Sequence, residues 1–187
     1  MAAINLPKHN LTFVHIPKSA GSSVVEWLTK NFEYERITGH PNLSMIKEQW
    51  NVGRTFSIVR NPWSRMVSAY FYLQQYKFYW ENNNIKTIDD FPSWSQFIDK
   101  LDYNTQSWNS LSTNQCKWVE PGVDFLCKVE TLTDDFKVIQ NLLNCPAPLP
   151  CINTSMHDNY KTYYTTDQKN KIAQVFEQDI DLYKYIF

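Results

Sequence analysis

Phe13-Val14-His15-Ile16-Pro17-Lys18-Ser19-Ala20-Gly21-Ser22-Ser23 is the stretch that decides how this chain folds. Phe13, Val14 and Ile16 make an apolar run that reads as a buried strand. Pro17 stops it, because proline has no N–H to give a ladder. A short loop with one lysine, one glycine and three serines follows, and then Val24, Val25, Trp27 and Leu28 recur at helical spacing. Strand, small-residue loop and helix together aim backbone N–H groups and a helix N-terminus at an anion. Lys18 adds a full positive charge and the serine hydroxyls add donors. The loop is not a Walker A motif, because Lys18 precedes Gly21 instead of following the second glycine. It therefore points to a phosphate-like ligand without pointing to ATP hydrolysis. The competing reading is a plain strand–turn–helix connection with a solvated lysine.

Outward from this stretch the same layout returns. Residues 54–60 read as a second buried strand, ending in Arg60. Asn61 and Pro62 follow, a good N-cap and a favoured first helical residue. The helix they predict puts Trp63, Met66, Val67, Tyr70 and Phe71 on a buried face. Ser64, Arg65 and Ser68 are expected on the other face, with Ser68 about two turns along. Residues 34–38 are expected to form a short strand, broken by Gly39-His40-Pro41, and residues 42–50 a short helix. Residues 74–92, rich in asparagine and aromatics, read as a loop or lid. Ser93 caps a helix to about residue 101. Residues 102–121 are irregular, with Gln106, Trp108, Gln115 and Trp118 interspersed. Residues 123–129 read as a third buried strand, and Thr131 with Asp134 as the cap of a helix to about Leu143. The last amphipathic helix begins near Asp167, burying Ile172, Val175, Phe176, Ile180 and Tyr183.

Apolar strands alternating with helices predict an α/β fold, a three-layer arrangement with a central parallel sheet and helices on both faces. No repeat or linker interrupts residues 1–187, so a single domain is expected. In such sheets ligands sit beyond the carboxyl ends of the strands. Lys18 and Arg60 both fall at that edge, an arrangement suited to a ligand with two separated anionic groups.

The totals narrow the function classes. With 43% hydrophobic and 16% aromatic residues the chain is not disordered. A formal net charge of -1 gives no general attraction to nucleic acid or anionic membrane, so any anion site is local. No stretch approaches the ~20 apolar residues of a membrane span. The first residues lack the apolar core of a signal peptide, so a cytoplasmic protein is expected. Cys116, Cys127, Cys145 and Cys151 show neither CxxC pairing nor zinc spacing, and no metal site is expected. Cys145 and Cys151 bracket a proline-rich loop and can bridge in an oxidising compartment; free thiols suit a cytoplasm.

Residues 15–23 resemble the 5′-phosphosulfate loop of sulfotransferases, most closely the branch of heparan-sulfate 2-O and HNK-1-type carbohydrate enzymes. Val59-Arg60-Asn61-Pro62-Trp63-Ser64-Arg65-Met66-Val67-Ser68-Ala69-Tyr70 resembles the 3′-phosphate motif of the same family, in matching order and spacing. Residues 123–135 and residues 163–185 look similar too. The resemblance implies a P-loop NTPase-like sulfotransferase fold. It also implies the donor 3′-phosphoadenosine 5′-phosphosulfate (PAPS), the product 3′-phosphoadenosine 5′-phosphate (PAP), and no required metal. Lys18 matches the family's lysine on the 5′ phosphosulfate. Ser19, Ala20, Gly21, Ser22 and Ser23 match the loop around it, and Arg60 with Ser68 the pair on the 3′-phosphate. Serines stand here where the family's threonines are usual.

An acceptor hydroxyl needs a base. His40, after Thr38-Gly39, resembles the Gly-His stretch that carries a catalytic histidine in the heparan-sulfate 2-O branch, and an imidazole suits that work. The alternative is a turn histidine packed on Pro41, with Glu26, Glu48 or Glu130 as substitutes. His15, inside its strand, reads as core or as support for the site. Arg65 either lines the site or is solvated. Most aromatics read as core; Tyr76, Tyr79, Trp80, Trp108 and Trp118 can stack on sugar or adenine rings. The expectation is sulfuryl transfer from PAPS to a hydroxyl of a carbohydrate-like or small acceptor. The alternatives are a non-catalytic nucleotide- or glycan-binding module and a small-metabolite kinase.

Overall fold

Leu11–Val14 (β2) pairs on one side with Arg54–Val59 (β4) and on the other with Ala2–Leu6 (β1). With Glu35–Thr38 (β3) and Phe125–Lys128 (β5) these make a five-stranded sheet in the order β3-β1-β2-β4-β5. The computed structural model describes residues 2–75, 77–101, 109–152 and 157–187. Their helices are Gly21–Asn31 (α1), Leu43–Gln49 (α2), Pro62–Gln75 (α3), Lys77–Asn82 (α4), Trp94–Asp99 (α5) and Asn109–Ser112 (α6). Cys116–Val119 (α7), Leu132–Asp135 (α8), Lys137–Leu142 (α9), Thr166–Val175 (α10) and Glu177–Tyr183 (α11) follow. They group into two compact units: Met1–Arg60 with Gln115–Thr154, and Asn61–Asn114 with Ser155–Phe187.

The first unit holds the sheet. β2 is parallel to β4, and β4 to β5, while β1 runs antiparallel to both β2 and β3. The expected α/β class stands, with a mixed sheet instead of a wholly parallel one. Two antiparallel pairings in succession leave β3 pointing the same way as β2, β4 and β5. The carboxyl ends of those four strands therefore share one edge. Register places Ile4 beside Phe13, Phe13 beside Phe56, and Ile58 beside Cys127. These side chains share one face of the sheet and pack with Val24, Trp27 and Leu28 of α1 and with Phe136, Ile139 and Leu143. The alternate positions Asn5, Thr12, Thr55 and Ser57 are also buried. Polar groups there need partners. Thr12 Oγ1 donates to Asn5 Oδ1 at 2.8 Å, Asn5 Nδ2 donates to Glu35 Oε2 at 2.8 Å, and Ser57 Oγ donates to Val14 O at 2.7 Å.

β5 is an edge strand, with Leu126 39% exposed, and not the buried strand expected. Thr131 stands at the N-cap of α8 as expected, but its hydroxyl donates to Asp135 Oδ2 instead of accepting from a backbone N–H, and Asp134 pairs with Lys137. A 3₁₀ turn and α8 intervene before α9. The proline-rich loop is tied down at Ala147 O, which accepts from Trp27 Nε1 and Gln140 Nε2. All four cysteines are free thiols.

In the second unit Asn61 caps α3 as expected, its Oδ1 accepting from Trp63 N at 3.1 Å, and its Nδ2 donates to Ile186 O at 2.8 Å. The expected polar face of α3 is absent. Arg65 is 0% exposed, its Nη1 donating to Thr113 O and its guanidinium lying over the Phe176 ring, and Ser68 is buried as well. Trp63 is anchored at both ends, Nε1 donating to Lys169 O and its carbonyl accepting from Tyr164 Oη. Tyr70 is a hub for the rings of Phe71, Phe91, Trp94 and Phe97. Residues 77–82, expected as loop, form α4, with Trp80 Nε1 donating back to Leu73 O. Ser93 and Gln96 make the capping box of α5. The last helix is broken at Phe176 into α10 and α11, because Phe176 leaves helical geometry at φ -111, ψ 29. Among the described residues no helix is long and apolar enough to cross a membrane.

Candidate active site

Lys18, His40 and Arg60 all leave the shared carboxyl edge of the first unit's sheet, after β2, β3 and β4. The loop after β2 is bent by two non-glycine residues in left-handed conformation, Lys18 at φ 66 and Ala20 at φ 57. L-residues there carry strain of roughly 1 kcal/mol each or more, which persists where the surroundings impose it. The bend delivers the chain into α1 with Ala20 at the N-cap and no side chain capping the first turn. The orphan N–H groups of a first turn are what an anion takes up.

Gly21 begins α1 above the ring of buried His15, so close that a Cβ on Gly21 would fall inside the imidazole. Glycine is required here by close approach, not by its φ. The His15 ring lies edge-on to that of His40, centroids 4.9 Å apart. His40 is delivered by Gly39, whose φ of 88 belongs to the left-handed region. His40 Nδ1 lies 3.3 Å from His15 O. A carbonyl only accepts, so this contact is a hydrogen bond when Nδ1 carries the hydrogen, and in the neutral ring that leaves the lone pair on Nε2.

Lys18 is mostly withdrawn from solvent, and burial first, then the Arg60 guanidinium, lower its pKa to about 7. Arg60 Nη1 approaches Lys18 O at 3.5 Å. A fold that holds two cations together in a partly buried place is poised for an anion. Ser19 is turned inward: it is 1% exposed and its hydroxyl donates to Gln115 Oε1 at 3.0 Å. Ser23 is buried too, its hydroxyl accepting from Ile152 N at 3.3 Å, whereas Ser22 is half-buried. Of the residues expected in the site, the first unit thus brings together Lys18, Ser19, Ala20, Gly21, Ser22, Ser23, His40 and Arg60. Ser68 belongs to the second unit, buried on α3.

Gln115, named from the sequence only as one residue of an irregular segment, was given no role there. It is 0% exposed and touches both motifs. It sits in an irregular segment, so no periodicity drew attention to it. Of the aromatics expected to stack on a ligand, Trp118 is buried in α7 and Trp80 half-buried in α4. Tyr76 and Trp108 lie outside the described residues, as do Gln106 and the side chain of Tyr79. Among the described residues no three His, Cys, Asp or Glu side chains gather to hold a metal ion.

The sequence profile of the sulfotransferase family matches residues 2–186. The fold is similar to that in a crystal structure of mouse sulfotransferase SULT7A1 complexed with PAP, with a TM-score of 0.57 at 16% sequence identity. That likeness spans 90% of this chain and 82% of the mouse chain. No curated protein sequence is similar to this chain at a significant level.

Proposed function

Since this chain belongs to the sulfotransferase family, we propose that residues 1–187 form one sulfotransferase domain that uses PAPS as donor and releases PAP. The acceptor we propose is a hydroxyl of a carbohydrate-like or small molecule, as in the heparan-sulfate 2-O and HNK-1-type branch. PAPS supplies the sulfuryl group, whose S–O bond breaks with charge left on the phosphate oxygen. The observation that carries the reading is the like-charged pair of Lys18 and Arg60 at the ends of adjacent parallel strands.

Lys18 and the first N–H groups of α1 hold the 5′ end and stabilise charge that grows on the leaving oxygen. An anion beside Lys18 favours its ammonium form, opposing the burial that lowers its pKa. Arg60 takes the 3′-phosphate. His40 removes the acceptor proton through Nε2, its tautomer held by the His15 carbonyl. His15 and Gly21 support this arrangement from beneath.

Calorimetry with PAP and with adenosine 5′-monophosphate tests the nucleotide assignment. Arg60→Ala is expected to weaken PAP about 10-fold or more while leaving the 5′-monophosphate nearly unchanged, as expected for one lost charge-assisted pair. Equal losses for both would contradict the assignment. With labelled PAPS and a hydroxyl panel, His40→Ala is expected to lower transfer ~10²-fold or more. Wild-type protein that binds PAP but transfers to no hydroxyl would favour a binding module. Protein that prefers ATP–Mg²⁺ to PAP would favour a kinase.

A further inference from the structure

Gln115 joins two motifs that are far apart in sequence. Its Oε1 accepts from Ser19 Oγ at 3.0 Å and from Arg60 N at 2.9 Å, while its Nε2 donates to Arg60 O at 2.8 Å. A side-chain amide offers both donors and acceptors, so one glutamine satisfies the N–H and the C=O of the same residue as a neighbouring strand would. Arg60 lies one residue beyond the last ladder pair of β4, Val59 with Lys128. Gln115 thus gives Arg60 strand-like partners just beyond the end of β4 and uses its remaining acceptor capacity on the loop that carries Lys18. Ser19 is 1% exposed, and its hydroxyl serves this link. The direct contact between the motifs, Arg60 Nη1 to Lys18 O at 3.5 Å, is the longer one.

We propose that Gln115 is a positioning residue that sets the separation between the 5′-end loop and Arg60, so that one nucleotide with an anion at each end meets both at once. The inference rests on the PAPS reading above. It differs from a role in general packing in what it predicts. A ligand held at one end tolerates a change in spacing; a ligand held at both ends does not.

The test measures binding of PAP, adenosine 5′-monophosphate and adenosine 3′-monophosphate to wild type, Gln115→Ala, Ser19→Ala and the double variant, with thermal melts alongside. Gln115→Ala is expected to weaken PAP about 10- to 100-fold and each monophosphate less than about 3-fold, the scale of one or two lost hydrogen bonds. Ser19→Ala, which cuts only the loop half of the link, is expected to show the same selectivity at smaller size. The double variant is expected to be no worse than Gln115→Ala alone, because both remove one connection. Uniform losses across the three nucleotides, no loss, or additive losses would overturn the proposal. If Gln115→Ala does not fold, Ser19→Ala decides: selective loss of PAP affinity supports the link and its absence overturns it. Wild type that fails to bind PAP would sink the donor reading and this inference together. Wild type that binds PAP beside variants that bind it equally well would sink this inference alone.

Discussion

Lys18 carries a charge that its surroundings oppose. Burial, and then the nearby Arg60, bring its pKa from 10.5 to about 7. Two pH trends of opposite sign follow. Between about 7 and 10.5 the unfolded chain keeps the Lys18 proton and the folded protein releases it. Stability contributed by Lys18 is therefore fully present above the unfolded value and is lost as pH falls through 7. Nucleotide binding needs the ammonium form, so affinity should fall as pH rises above 7. The limit is about tenfold per pH unit for one proton. Calorimetry in two buffers of different ionisation enthalpy is expected to show proton uptake on PAP binding at about pH 8. Lys18→Met is expected to abolish that uptake and to leave the melting temperature at neutral pH unchanged or higher, because the burden of a buried charge is gone. Affinity independent of pH from 7 to 9 would contradict this role for Lys18.

The elements differ in how openly the chain declares them. α3 starts where Asn61-Pro62 says it should, and Asn61 does two jobs, capping Trp63 N and donating to Ile186 O. Asn61→Ala is expected to lower stability by about 1–2 kcal/mol, the usual loss of such a cap. Asn61→Asp, which keeps the acceptor and loses the donor, is expected to fall between the two, as read by urea denaturation. The loop, the two parallel strands and this cap were legible because each is a local signal of turn chemistry and apolar run. β1 was not legible: Ala2-Ala3-Ile4-Asn5-Leu6 is short and carries a polar residue at its fourth position, and only pairing with Thr12 and Glu35 makes Asn5 welcome there. The buried side of α3 was misjudged for a related reason. Arg65 looks solvent-facing by spacing, and only the carbonyl of Thr113 and the ring of Phe176 explain its burial. Gln115 was invisible on the same ground, since its meaning lies in Ser19 and Arg60, 96 and 55 residues away.

For the molecule as a whole the decisive quantity is charge. Lys and Arg total 18 against 19 Asp and Glu, a net charge of -1. Several exposed lysines are also neutralised in pairs, Lys8 with Glu33, Lys117 with Glu120 and Lys137 with Asp134. A small nucleotide with an anionic group at each end needs only the local cations Lys18 and Arg60. A densely sulfated chain would need a positive stripe much longer than the ~8 Å screening length of physiological salt. The acceptor expected on these grounds is neutral or sparsely charged. Heparin-agarose tests this without knowledge of the acceptor: the protein should pass through or elute by about 0.15 M salt, where surface electrostatics is largely screened. Retention to several times that concentration would reveal a basic surface and point the acceptor search to polyanionic glycans. If Arg60→Ala also abolished the retention, heparin would be occupying the nucleotide site. Retention that survived the substitution would locate a separate cationic surface and overturn the neutral-acceptor expectation, while leaving the assignments of Lys18 and Arg60 intact.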